Sequence, residues 1–511
     1  MKIPVIKNTF TGYIKMAVFL LEGIFVSRWI IQYLGMEQYG LWALLWSLFG
    51  YTLLLDGGCG LAAQKYTAGG LYIKNPLEYS RIISTIFTFH SVMALVIAGV
   101  TVAGGFFLPQ LLDITDPEKL QQARICFFLF GFGSALLFPT GLFPEILIGL
   151  QKIYLRNSIT VCSKIAELAG VIIIFLLGGK LITLIAFIMF STLAENLITA
   201  FFAFKNIPGF KLRFYSDRQH WREIISFSGY VYLGILSNLL LTRTSRILIS
   251  IFCGMTSVGL FQISSKLADL CSKLVTQYQE NIAPITGSLH KRGKFLALGR
   301  IVFGAMRWNA FTATAVMLPS FFLATPLLLV LFKVESPDIT ALSRLFLVSL
   351  YLTIVYRSVP QKYFVMSDQH RFSNWILLGE ALATVVLNIL LLKTFGIVVV
   401  LYVAIGLKLF ISFVFFMPLL LKRLHLNAWL FVRKIGIEPL LAGIPAMLWL
   451  QGFSYLAPAA TPWVKIIVAG GIAGVLYGFA MLVFCPLPRK IRKFIPPMLC
   501  RLCRISGGRL D

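Results

Sequence analysis

Five polar side chains in an otherwise apolar stretch pose the first chemical question. Gln262, Lys266, Asp269, Lys273 and Glu280 are spaced by 4, 3, 4 and 7 residues, which places them on one face of a helix. Three arginines form a second set: Arg28 in the first apolar run, and Arg243 and Arg246 in the run just before the stripe. An ionisable side chain at membrane depth costs about 2.5–3.5 kcal/mol, so such groups face water, a cavity or each other. Two chemistries are open to them. Lys266 with Asp269 and Lys273 with Glu280 can neutralise each other as a structural ion-pair network. Alternatively the cations hold an anion, and guanidinium suits phosphate, whose oxygens accept paired, charge-assisted hydrogen bonds. For Arg28 a third reading stands beside these, snorkelling to lipid headgroups from the end of its span.

Other polar residues extend this set. Lys15 and Glu22 lie seven apart on one face and can continue a cavity lining. Asp56 follows Leu53-Leu54-Leu55 and precedes Gly57-Gly58, where a helix can deform; it suits a structural pair with Lys65 or an arginine, or a coupling proton. Lys164 and Glu167 read as an i,i+3 bridge. Glu145, Glu195 and Glu380 have no neighbour in sequence to pair with, so each is a candidate for a coupling Na⁺ or H⁺. Ser237, Asn238 and Thr242 are candidate polar contacts for a cavity ligand, as are Trp42 and Trp46, for which aromatic packing is the simpler reading. His90, alone in an apolar span, reads as a packed or hydrogen-bonded core residue. The eight cysteines make no disulfide framework, and Cys500-Arg-Leu-Cys503 lacks the second ligand pair that zinc needs. No metal and no cofactor is expected.

The elements that position these residues follow from composition. The chain has 511 residues, 58% hydrophobic and 13% charged, with mean hydropathy +0.85. Soluble chains carry about 25% charged residues, so this is an all-α polytopic membrane protein. Apolar runs long enough to cross a bilayer number fourteen. They give an N-lobe of six spans over 1–204, a connecting loop at 205–222 and a C-lobe of six over 223–421. A basic loop at 422–435, two further spans within 436–487 and a basic tail at 488–511 complete the chain. The N-terminus reads as a first span and not as a cleaved signal. Most of the 46 Lys and Arg fall on one side; only Lys119, Arg124, Lys180, Lys333, Lys393 and Lys465 fall on the other. The positive-inside rule then places both termini in the cytoplasm. Topology accounts for the net charge of +26 without nucleic acid.

The chain also repeats itself. Gly35-Met36-Glu37-Gln38-Tyr39-Gly40-Leu41 between spans 1 and 2 is echoed by Gly254-Met255-Thr256-Ser257-Val258-Gly259-Leu260 between spans 7 and 8, 219 residues on. Upstream, Ser27-Arg28 parallels Ser245-Arg246. Six spans separate equivalent points, so the halves share one orientation, an arrangement used by secondary transporters. Pro139 and Pro144 in span 4, and Pro319 and Pro326 in span 9, are points where helices can bend. The loops on the outer side are too short for the substrate domain of a sugar polymerase. The chain also lacks a DxD, a Gly-rich phosphate loop, a Ser/His/Asp arrangement and a His cluster, so no enzyme is expected.

The segment from Tyr33 to Trp42, with Leu55-Asp56-Gly57-Gly58 and Gln64-Lys65-Tyr66, resembles the opening of polysaccharide transporters, the Wzx-type lipid-linked oligosaccharide flippases of the MATE-like MOP superfamily. Val258-Gly259-Leu260-Phe261 through Lys266-Leu267 resembles the second-lobe counterpart. The resemblance implies two six-helix lobes plus two C-terminal helices, alternating between inward- and outward-open shapes. It implies an inner-membrane flippase for an O-antigen or exopolysaccharide unit on a polyprenyl diphosphate. Arg28, Arg243, Arg246, Lys266 and Lys273 would then hold the diphosphate. Lys15, Glu22, Asp56, Asn238, Gln262, Asp269 and Glu280 would line the cavity or couple an ion. Membrane lipids are expected partners; a polysaccharide polymerase and chain-length machinery are candidate ones. Where such transporters often carry an acidic and then a basic residue late in span 7, this chain has Thr242-Arg243-Thr244. A lipid II flippase, a MATE-type multidrug exporter and a membrane glycosyl polymerase remain alternatives, the exporter disfavoured by the excess of Arg and Lys.

Overall fold

The computed structural model describes residues 5–112, 116–207, 209–215, 217–276, 295–366, 370–424 and 427–484. Glu280, the basic tail and its two cysteines lie outside them. The described chain is almost entirely helical, as a backbone without water must be where it crosses hydrocarbon. Helices α1 (Val5–Leu34), α2 (Met36–Phe49) and, after a 3₁₀ turn at Gly50–Asp56, α3 (Cys59–Ala68) open it. There follow α4 (Leu71–Lys74), α5 (Pro76–Leu112), α6 (Pro117–Thr140), α7 (Leu142–Gly149), α8 (Ile153–Leu176) and α9 (Leu181–Asn206). The helix α10 runs from Arg218 to Thr276 with a break at Gly254.

Among the described residues eleven helices are long and apolar enough to cross a membrane, or twelve if the bent pair Met36–Asp56 and Cys59–Ala68 is one span. This count does not by itself confirm the fourteen expected from the sequence. Two places bear on the count: α1, with 30 residues, is not among the eleven, and Tyr232–Thr276, with 45 residues, is counted once although two helices meet in it at the non-helical Gly254. The bend in the second span, 51°, follows Asp56, where Gly57 and Gly58 both take left-handed conformations.

The chain divides into two compact units, Met1–Gln262 with Leu377–Ile397, and Ile263–Ile376 with Val398–Asp511. In the first, Tyr79, Ile83 and Ile86 of α5 pack with Leu142 and Ile146 of α7 and Ala203 of α9. In the second, α11 (Phe295–Phe322) is the central support. The last two helices, α12 (Ala428–Leu456) and α13 (Pro462–Phe484), lie against it through Phe311, Ala442, Ala446, Ala469 and Ala473. Small side chains allow that close approach, and Tyr477 adds a hydrogen bond of 2.9 Å to the Phe311 carbonyl. One carboxylate secures the same junction. Glu438 is buried and takes Arg307 at 3.0 Å, Lys434 at 3.0 Å and Arg433 at 3.7 Å, while Arg307 also donates to the Phe484 carbonyl.

Candidate functional site

Within the first unit the two copies of the glycine motif meet. Gly35 and Gly254 break their helices with nearly the same backbone, φ 87 and ψ 173 against φ 80 and ψ 173. Only glycine adopts that conformation readily. Each break turns the next helix onto the other copy. A Cβ on Gly40 would overlap the Met255 carbonyl and lie 3.1 Å from the Gly259 nitrogen, and one on Gly259 would overlap the Met36 carbonyl. The contact is reciprocal: the second glycine of each copy is seated on the methionine carbonyl of the other.

This junction fixes the ends of the helices that carry the arginines. Arg28 is half-buried on α1, and its Nε is buried without a hydrogen-bond partner among the described residues. Arg246, at the matching place on α10, donates to the Thr242 carbonyl at 2.8 Å. Arg243 reaches across to the end of α2 and donates to the Trp46 carbonyl at 2.7 Å. Carbonyls in a last helical turn carry spare acceptor capacity and partial negative charge. The guanidinium lies over Gly50, with Cζ and Nε 3.0 Å from where a Cβ would stand. Beside it the Tyr51 hydroxyl is hydrogen-bonded to Thr244. Among the described residues no carboxylate lies against Arg28 or Arg243. Trp42 and Trp46 pack edge-on at 5.8 Å, and Trp46, itself exposed, meets Phe130 at 5.0 Å, which is aromatic packing.

Asp56, Glu22, Glu167 and Glu195 of this unit are occupied by structure. Asp56 receives the backbone N–H of Gly58 at 3.1 Å and of Gly60 at 3.3 Å, so it caps α3, and it pairs with buried His90 at 3.0 Å. Lys164 sits between Glu22 at 3.1 Å and Glu167 at 2.8 Å, and Ser191 donates to Glu167. Thr160 donates to Glu195 at 2.7 Å. The i,i+3 pair on α8 was legible from spacing; its third member on α1 was not. Lys15 lies in the field of Arg156 and Glu195. On α10, Gln262 and Lys266 are half-buried, whereas Asn238, Asp269 and Lys273 are exposed.

Helices of this length and apolarity define a multi-pass membrane protein. The chain belongs to the polysaccharide biosynthesis protein family, whose model matches residues 11–286. No curated protein sequence matches it significantly. Among solved structures it is similar to the lipid II flippase MurJ in an inward closed conformation, at 15% identity and TM-score 0.70, covering 96% of this chain and 100% of that one. An inward-facing multidrug resistance MATE family transporter of the MOP superfamily aligns at 15% identity and TM-score 0.66 over 80% of this chain and 94% of its own. A MOP superfamily transporter from Pyrococcus furiosus aligns at 15% identity and TM-score 0.59 over 83% and 96%. At that identity these likenesses establish the fold. The expectation of a MATE-like polysaccharide transporter is met by family and fold alike.

Proposed function

We propose that this flippase carries a polyprenyl-diphosphate-linked oligosaccharide, an O-antigen or exopolysaccharide unit, from the inner to the outer leaflet of the cytoplasmic membrane by alternating access. One observation carries the reading. Arg28 keeps a buried Nε without a partner, and Arg243 is braced by a single backbone carbonyl with no carboxylate against it among the described residues. Guanidinium groups left in this condition have donors to spare for phosphate oxygens, which hydrocarbon alone cannot accommodate. Lys266 and Lys273 are assigned to the same anion, and Gln262, Asp269, Glu280, Asn238 and Lys15 to the polar lining. The lobes 1–204 and 223–421 would rock about this site, with both termini cytoplasmic. Glu22 and Asp56 are held by Lys164 and His90, so a coupling H⁺ or Na⁺ would have to compete with those bonds. A polymerase and chain-length machinery would take the product.

The test is transport by the full chain in proteoliposomes. Arg28→Ala combined with Arg246→Ala, and Arg243→Gln alone, should abolish flipping of a lipid-linked oligosaccharide while insertion and yield stay normal. Wild-type flipping in the double variant rejects the assignment. The likeness to MurJ spans the whole of that chain and includes this chain's last helices, and this favours lipid II as the second reading. Rescue of a MurJ-depleted strain, with no rescue of an O-antigen flippase deletion, would select it.

A further inference from the structure

The first unit contains a cavity of about 680 Å³ that the polar site does not use. Its walls come from the end of the second span (Phe49, Tyr51, Thr52, Leu55), from α5 (Ile97, Val100, Gly104, Phe107) and from Phe127 of α6, with Tyr232 of α10 at one side. The volume lies within the range of about 300–1,000 Å³ typical of small-molecule sites. The lining is almost wholly hydrocarbon and aromatic, and water gains too few hydrogen bonds to fill such a space. The space therefore suits an apolar occupant, and the adjoining chemistry says what would be attached to it. Gly50, the residue between lining residues Phe49 and Tyr51, has the Arg243 guanidinium packed over it. Tyr51 itself is hydrogen-bonded to Thr244, the neighbour of Arg243. A greasy chamber and an arginine without a carboxylate thus share one turn of backbone.

We infer that this cavity receives the proximal part of the polyprenyl chain of the transported lipid while Arg243 holds its phosphate. The inference rests on the lipid-linked substrate proposed above and adds to it a chain-binding site in the first unit. Val100 and Phe107 are exposed, so the chamber is open along α5 and a chain longer than the cavity can continue outward. The chain contributes affinity by removing methylene surface from water or detergent, and Arg243 sets how far it enters.

The measurement is binding of undecaprenyl phosphate and of dimethylallyl phosphate, whose five carbons are too few to fill the chamber, to the purified full-length protein in nanodiscs. Wild type should prefer the long chain by about tenfold. Val100→Trp, which fills the chamber from an exposed position, should erase that preference by bringing undecaprenyl phosphate down to the affinity of dimethylallyl phosphate. Phe107→Ala, which removes bulk instead of adding it, should lower the preference without loss of yield. Arg243→Gln should weaken both ligands together. An unchanged preference in both cavity variants, with binding still lost in Arg243→Gln, overturns the cavity assignment and leaves the substrate reading standing. Displacement of undecaprenyl phosphate by equimolar phosphatidylglycerol also overturns it, since the chamber would then be filled by ordinary lipid. No binding of either phosphate by wild type overturns the substrate reading itself.

Discussion

The two copies of the Gly-Met-x-x-x-Gly-Leu junction share a backbone and differ in the side chains around it. Gly35 and Gly254 turn the chain through nearly identical angles, and Gly40 and Gly259 rest on each other's methionine carbonyls. Around that common frame the first copy is tied by charge: Glu22 on α1 is held by Lys164, and Glu37 pairs with Lys119 at 2.8 Å. The second copy has Thr256 where the first has Glu37, and its arginines spend bonds on backbone carbonyls instead. What both copies keep is what close backbone approach demands. What they do not share is where function and lobe-specific support have been added.

The sharpest way to break this comparison is to fill the contact. Gly40→Leu and Gly259→Leu should each cost about 3 kcal/mol or more, because the obstructing atom is a carbonyl that cannot rotate away. Detergent melting should show equal losses; a clear inequality would mean the contact is not reciprocal. Next, Lys164→Ala should destabilise the protein by about 3 kcal/mol, at the lower end expected for breaking a buried pair, since it strands Glu22 and Glu167 together. Lys164→Met with Glu167→Gln should recover part of that loss, which a purely steric role for Lys164 would not permit. The smallest effect belongs to Glu37→Thr, which makes the first copy resemble the second at an exposed pair. No measurable change in melting or transport is expected, and a large one would give the charge a part in the cycle.

Much of this was legible without coordinates. Apolar run length gave the spans, and the motif gave the repeat and the family. Spacing alone gave the Lys164–Glu167 bridge, because three residues on a helix fix the geometry. The rest depended on which helices touch. Asp56 finds His90 on α5 and Glu22 finds Lys164 on α8, partners 34 and 142 residues away that no local periodicity encodes. The division at Gly254 was legible because the same glycine signature separates α1 from α2 at Gly35. A pattern of types does not show that both motif glycines serve one contact; their recurrence signalled importance, and only the fold supplied the reason.

Glu438 carries a consequence for how such chains diversify. Its carboxylate and the Phe484 carbonyl are both contributed by the final hairpin, and both terminate on Arg307. Pruning that hairpin would leave a guanidinium stranded against Phe311 with neither acceptor. A cousin that dispenses with the appendage should therefore carry an uncharged residue in place of Arg307, so the fate of one side chain in the middle of the sequence records whether its last two crossings were ever there.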